Sequence, residues 1–77
     1  MTEQGQQDGE PFEKRHRDGS LWARGRMLDE TMHGYWEWFR LDGTIMRSGA
    51  FDRGRRIGAW TTYDLSGAVH KVTDFGA

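Results

Sequence analysis

The strongest constraint on the fold is a sequence that repeats itself after 24 residues. The segment WFRLDGTIM, residues 38–46, returns in outline as TYDLSGAVH, residues 62–70. A fainter copy surrounds HRDGSLWAR, residues 16–24. A unit that recurs in this way cannot bury its apolar face alone and must stack on its neighbours. The repeat therefore predicts three similar units, which start near Phe12, Trp36 and Trp60.

Each unit has the plan of one β-hairpin. An aromatic segment is followed by Asp-Gly or Ser-Gly, then by alternating apolar residues, then by a polar linker such as DRGRRIG, residues 52–58. Asp-Gly between two such segments favours a two-residue type I′ turn, because both central positions need a positive φ. The pattern predicts an all-β fold: a single twisted antiparallel meander sheet of about six short strands, formed by three hairpins.

Domain boundaries follow from the same pattern. Residues 1–10 contain no apolar residue after Met1 and are expected to form a flexible N-terminal tail. Residues 11–77 are expected to form the repeat domain, with copies near 12–34, 35–58 and 59–77.

A type I′ turn at Asp42-Gly43 would also set the strand register. Phe39 would then pair with Met46, and two further pairs, Trp38 with Arg47 and Trp36 with Gly49, would follow. Because side chains alternate along a strand, this register sorts residues onto two faces. A loop with a bulged third residue would move one strand's side chains to the other face. The first face, the expected core, carries Phe12, Leu21, Gly25, Met27, Trp36, Trp38, Ile45, Gly49, Phe51, Trp60, Val69 and Phe75. The second face carries Arg15, Trp22, Phe39, Met46, Tyr63 and His70. Trp36 opposite Gly49, and Phe12 opposite Gly25, suggest that each glycine leaves room for a ring.

The residues of the second and third units resemble MORN repeats. Gly34-Tyr35-Trp36, Asp42-Gly43 and Phe51 match that pattern, and Gly58-Ala59-Trp60, Ser66-Gly67 and Phe75 match it again. The variant is similar to bacterial proteins named as YwqK-family antitoxins. The resemblance implies a hairpin sheet that contacts proteins or, in some relatives, phospholipids. It implies a toxin or effector as partner, and it carries over no catalytic residue.

Composition narrows the class of protein further. The chain has no cysteine, so it has no disulfide framework and no thiolate metal site, and a cytoplasmic location is expected. The three histidines show no metal-ligand spacing, and the serines have no base at a predictable position. We therefore expect no enzyme activity, no catalytic residue, no metal and no cofactor.

The predicted function is a non-enzymatic protein-binding module. Its partner is expected to contact an aromatic patch on the second face. Two other roles for this patch, closure of the core and burial in a homodimer, are equally compatible with the sequence. The strands near both sheet edges offer a second route, by accepting a strand from another chain. The predicted partner-binding residues are Trp22, Phe39, Met46, Tyr63 and His70.

Two alternatives remain open from the sequence. One is a purely structural, self-associating repeat. The other is a binder of anionic lipid or nucleic acid through an arginine-rich rim, against which the net charge of −1 and the neighbouring acids argue. The residues predicted for that rim are Arg40, Arg47, Arg53, Arg55 and Arg56.

Overall fold

The computed structural model describes residues 9–76, which form one six-stranded sheet. Every strand pairs antiparallel with the next one along the chain, so the spatial order equals the chain order. The predicted all-β meander is therefore confirmed, while most of the predicted tail lies outside the described residues. The strands are β1 (Glu10–Arg15), β2 (Leu21–Leu28), β3 (Thr31–Phe39), β4 (Ile45–Asp52), β5 (Arg55–Tyr63) and β6 (Val69–Asp74).

Two-residue turns join β2 to β3 and β4 to β5. In the second of them, Asp52 pairs with Arg55, and the central residues Arg53 and Gly54 have φ of 48° and 89°. Positive φ at both central positions is the mark of a type I′ turn. The prediction that residues 52–58 form a polar linker between hairpins is therefore wrong in extent, because only Arg53 and Gly54 lie between β4 and β5. The segment is a tight turn that leads directly into β5.

The Asp-Gly turn is of a different type from the one predicted. Arg40 N–H donates to the Thr44 carbonyl at 2.8 Å, so three residues form the loop, and only Gly43 has a positive φ, 90°. The Asp42 carboxylate favours this loop, since it accepts hydrogen bonds from Thr44 N–H at 2.9 Å and from Thr44 Oγ1 at 2.7 Å.

The longer loop changes the register at the strand ends. Phe39 pairs with Ile45 instead of Met46, through a bulge between Trp38 and Phe39. The predicted pairs Trp38 with Arg47 and Trp36 with Gly49 are confirmed, because they lie beyond the bulge.

A β-bulge directs Trp36, and an equivalent bulge directs Trp60, toward the preceding unit. Residues 34–36 of β3 lie opposite the single residue Gly25 of β2, and Gly34 has a φ of 73°. The Trp36 ring covers Gly25 so closely that an added Cβ would lie 2.1 Å from it. Its indole N–H donates to the Arg26 carbonyl at 3.0 Å.

The third unit repeats this contact 24 residues later. Trp60 covers Gly49, where an added Cβ would again lie 2.1 Å from the ring, and its indole N–H donates to the Ala50 carbonyl at 3.1 Å. The prediction that each glycine leaves room for a ring is confirmed, but the ring is not the predicted one: Trp36 covers Gly25 and Trp60 covers Gly49. The ring comes from the following hairpin and so connects the units.

The core is a row of rings on one face of the sheet. The rings of Trp38 and Trp60 are 5.4 Å apart between centroids, and Phe51 meets Trp60 edge-on at 5.0 Å. Phe12 and Phe75 close the two ends of the row, 6.0 Å from Trp36 and Trp60 respectively. We call this side of the sheet the aromatic face and the other side the opposite face. The buried core residues are Ala23, Trp36, Trp38, Phe51 and Trp60.

At two glycines of the ring contact, alanine and asparagine are expected to rank in opposite order of destabilisation. Gly49 lacks space, whereas Gly58 has open space but a φ of 69°. Gly49→Ala is expected to cost about 1–3 kcal/mol by overpacking, and Gly49→Asn more. Gly58→Ala is expected to cost about 1–2 kcal/mol, and Gly58→Asn less, because asparagine tolerates left-handed backbone. Urea unfolding of the four variants measures this order, and the same order at both positions would contradict the assignment.

The loops also predict a loss of stability in acid. Hydrogen bonds from the Ser20 and Ser66 hydroxyls lower the pKa of the Asp18 and Asp64 carboxyls, and one from the Thr44 backbone N–H lowers the pKa of Asp42. A folded pKa below the ordinary 3.8 gives stability that is present above that value and lost as the pH falls through the folded pKa. The urea midpoint of the wild type is expected to drop over that range.

A triple variant isolates this contribution. Asn at positions 18, 42 and 64 keeps an acceptor oxygen but does not titrate in this range. Its urea midpoint is expected to fall less steeply below pH 3.8 than that of the wild type. An identical acid dependence of the two proteins would show that other groups are responsible.

Candidate functional site

The five residues of the predicted partner site lie on two different faces of the sheet. Phe39 and Tyr63 lie on the opposite face, where the Arg24 guanidinium lies 5.5 Å from the Phe39 ring centroid. The Tyr63 hydroxyl shares a hydrogen bond of 3.0 Å with the Ser48 hydroxyl. Both rings are half-buried, so they contribute to the sheet as well as to its surface.

Trp22 and Met46 lie on the aromatic face, which corrects their predicted placement. Both pack against the core cluster. The cause is the bulge next to each three-residue loop, which exchanges them with Leu21 and Ile45. His70 has the corresponding place in the third unit and is exposed. The five residues therefore do not form one patch.

A shallow groove of about 590 Å³ crosses the opposite face. Its polar groups largely satisfy one another: Arg24 Nε donates to the Glu37 carboxylate at 2.8 Å, and the Tyr35 hydroxyl donates to the same carboxylate at 3.3 Å. Burial raises the pKa of the Tyr35 hydroxyl, so this group stays protonated near neutral pH. The groove has no strong excess of either charge. Its lining comprises Pro11, Phe12, Glu13, Arg24, Gly25, Arg26, His33, Gly34, Tyr35 and Glu37.

Three of the five predicted anion-binding arginines have protein partners. Arg40 reaches from one loop to the next strand, where it donates to the Tyr63 carbonyl at 2.5 Å and to the Ile45 carbonyl at 2.9 Å. Arg53 and Arg55 lie 3.6 Å and 3.7 Å from the Asp52 carboxylate. These three are held by the turns and do not extend into a common stripe.

Arg47 and Arg56 differ from the other three because they lie on the aromatic face. The Arg47 guanidinium is 4.9 Å from the Trp38 ring centroid and 5.9 Å from that of Trp60. The Arg56 guanidinium is 4.5 Å from the Phe75 ring and 5.9 Å from the Trp60 ring. The two arginines therefore share one indole.

The two edges of the sheet carry different chemistry. Both β1 and β6 are exposed at every position. β1 reads EPFEKR, so it combines four charges with a proline that has no N–H to offer. β6 reads VHKVTD and exposes Val69 and Val72 by 59 % and 54 %. The sequence analysis predicted strand addition at both edges alike, although Pro11 and the charged residues of β1 already distinguish the two edges in the sequence.

The described residues provide no site for metal chemistry. Among residues 9–76, no group of three or more His, Cys, Asp or Glu side chains could hold a metal ion. The His33 ring accepts a hydrogen bond from Arg53 N–H on Nδ1 at 3.0 Å. The described elements also include no helix long and apolar enough to cross a membrane.

Comparison with known proteins adds no family assignment. No protein-family model matches the sequence, and neither a search of curated proteins nor a search of solved structures found a match. The resemblance to MORN repeats therefore stays a prediction.

The contacts of Arg40 predict a structural role for that residue. Arg40→Met keeps most of the aliphatic stem but leaves two carbonyls without their donor, and it is expected to cost about 1–3 kcal/mol of unfolding free energy. Arg55→Met, which loses only an exposed ion pair, is expected to cost less than about 1 kcal/mol. Urea unfolding compares them, and equal costs would argue against the structural role.

Proposed function

We propose that this chain is a non-enzymatic protein-binding module that accepts an extended segment of a partner along β6. The observation that carries the proposal is the β6 edge. β6 pairs only with β5 among the described strands, and its side chains are exposed throughout. A strand of this kind offers a row of backbone N–H and C=O groups to another chain.

The repeat itself supports this use of β6. β6 corresponds to β2 and β4, and each of those strands pairs with a following strand along the edge that β6 leaves open. Val69 and Val72 add apolar surface beside the open backbone groups. The other edge, β1, is protected by Pro11 and by its charges, so we place the partner at β6.

The residues at the two edges argue against a further unit of the same kind as the partner. Thr73 occupies the place that glycine has in β2 and β4, where a tryptophan ring leaves no room for a Cβ. At the start of the first unit, Glu10 replaces the glycine that has positive φ in β3 and β5. Stacking of a second copy head to tail would meet both obstacles. This supports a different protein as partner, in preference to head-to-tail stacking of a second copy.

The resemblance to antitoxin-like MORN repeats agrees with this proposal. Within it, the partner is a toxin or effector, and a chain without cysteine is suited to the bacterial cytoplasm. Lipid or nucleic acid is less well supported as a ligand. The five arginines do not form one stripe, and the rings of Trp36, Trp38 and Trp60 are buried and so are not open to stacking on bases.

The proposal predicts that the partner protects the backbone of β6. Wild-type protein and a Val72→Lys variant serve as baits in a lysate of the source organism, and hydrogen exchange is measured on the complex obtained. We expect one protein to be retained by the wild type and lost by the variant, because lysine on an edge strand opposes strand addition. We expect the β6 amides to exchange more slowly in the complex.

A matched control tests the specificity of the result. Leu65→Lys introduces the same charge at a residue that is 67 % exposed in the last loop, and it should retain the partner. Phe39→Ser/Tyr63→Ser tests the opposite face directly. Loss of the partner with the folded Phe39→Ser/Tyr63→Ser variant but not with Val72→Lys, or a complex with unprotected β6 amides, would refute binding along β6.

A further inference from the structure

Two arginines on the aromatic face have no carboxylate partner among residues 9–76. We infer that Arg47 and Arg56, on Trp60, form a carboxylate-binding site for an acidic segment of the protein partner. The inference rests on the proposed protein-binding function and specifies the chemistry of the segment. It concerns the broad face of the sheet, next to the β6 edge.

Both guanidiniums lie over aromatic rings. Arg47 is half-buried and lies over the adjacent rings of Trp38 and Trp60, at 4.9 Å and 5.9 Å. Arg56 is exposed and lies over Phe75 and Trp60, at 4.5 Å and 5.9 Å. Contact with a ring favours the charged guanidinium and leaves its N–H groups able to bind a planar carboxylate. The rings therefore help to position both groups for a ligand.

No acidic group neutralises these two arginines. Within residues 9–76, neither lies within 4.0 Å of a carboxylate, and Arg47 Nε is buried without a hydrogen-bond partner. On the opposite face, by contrast, Arg15 pairs with Glu13 at 3.0 Å, and Arg24 pairs with Glu37 at 2.8 Å. Arg47 and Arg56 are thus free of such a partner among the described residues.

The strand register places further positive charges in line with Arg47, from one edge of the sheet to the other. One line of paired residues on the aromatic face contains three cations and no acid, and we call it the basic row. The line next to it, on the opposite face, contains two acids and one cation. The basic row is Lys14, Ala23, Trp38, Arg47, Thr62 and Lys71. The neighbouring line is Glu13, Arg24, Glu37, Ser48, Thr61 and Val72.

The position of Lys71 connects the basic row to the partner. Lys71 lies on β6, so a segment added to this edge would place side chains directly beside it. Acidic side chains in that segment, or in the chain that continues from it over the aromatic face, would meet Lys71 first and then Arg47. Opposite charge of this kind favours the correct partner and speeds its association.

The surface favours a peptide over a nucleic acid. Trp36, Trp38 and Trp60 are 1 %, 7 % and 6 % exposed, so their faces are not available to stack on bases. The net charge of −1 also gives no general attraction to a polyanion. A few carboxylates at defined positions match the few guanidiniums present.

A direct binding experiment tests the inference without the natural partner. Oligoglutamate is titrated into the wild-type protein by calorimetry, with oligoglutamine of the same length as the uncharged comparison. We expect saturable binding of oligoglutamate that weakens as salt is added. Arg47→Gln/Arg56→Gln is expected to weaken it by about tenfold or more. The charge-matched control, Arg53→Gln/Arg55→Gln, should change it by less than about twofold.

The outcomes separate the possibilities. Absence of oligoglutamate binding at low salt, equal binding of oligoglutamine, or equal losses in the two double variants would overturn the inference. Tighter binding of a thymidine oligonucleotide or of phosphatidylserine vesicles would assign the site to phosphate instead. Arg56→Gln alone removes an exposed side chain and serves if the variant at position 47 unfolds. β6 is unchanged in all these variants, so the inference and the proposed function can fail separately.

Discussion

Contact between a tryptophan ring and a bare glycine backbone holds the units of this sheet together. Trp36 lies on Gly25 and Trp60 lies on Gly49, and in both cases the ring comes from the following hairpin. Each indole N–H also donates to a backbone carbonyl, so its polar atom is satisfied while the ring is buried. Since a small domain has little core to spare, these rings provide much of what orders the hairpins relative to one another.

The same contact requires glycine for two separate reasons. Gly25 and Gly49 are needed because a Cβ would overlap the ring, whereas Gly34 and Gly58 are needed because the bulge that aims the ring has positive φ. One of these conditions is not met in β6. Thr73 fills the place of the receiving glycine in β6, which leaves a regular, exposed edge that is not shaped for another unit of the same type.

Concentration of the rings on one face also determines where charge is placed. On the opposite face Arg24 pairs with Glu37 of the neighbouring strand. On the aromatic face Arg47 and Arg56 lie over the rings, and neither has a carboxylate within 4.0 Å among residues 9–76. The open edge of β6 and this uncompensated charge lie side by side, which is why an acidic extended segment suits both.

The sequence by itself determined the repeat, the hairpin content and the antiparallel order, because a 24-residue period with turn residues at fixed places admits few other arrangements. It also identified Trp36, Trp38, Phe51 and Trp60 as core. The loop type was decided in the folded chain, where Asp42 accepts hydrogen bonds from Thr44 and adds a residue to the loop. An equivalent loop around Asp18 and Ser20 lies before Trp22. The bulge beside each of these loops exchanged the faces of Trp22 and Met46 with those of Leu21 and Ile45, and so divided the predicted partner site. The separation of the arginines was likewise decided only by tertiary structure, since strand alternation and ring stacking, not closeness in sequence, select which of them share a surface.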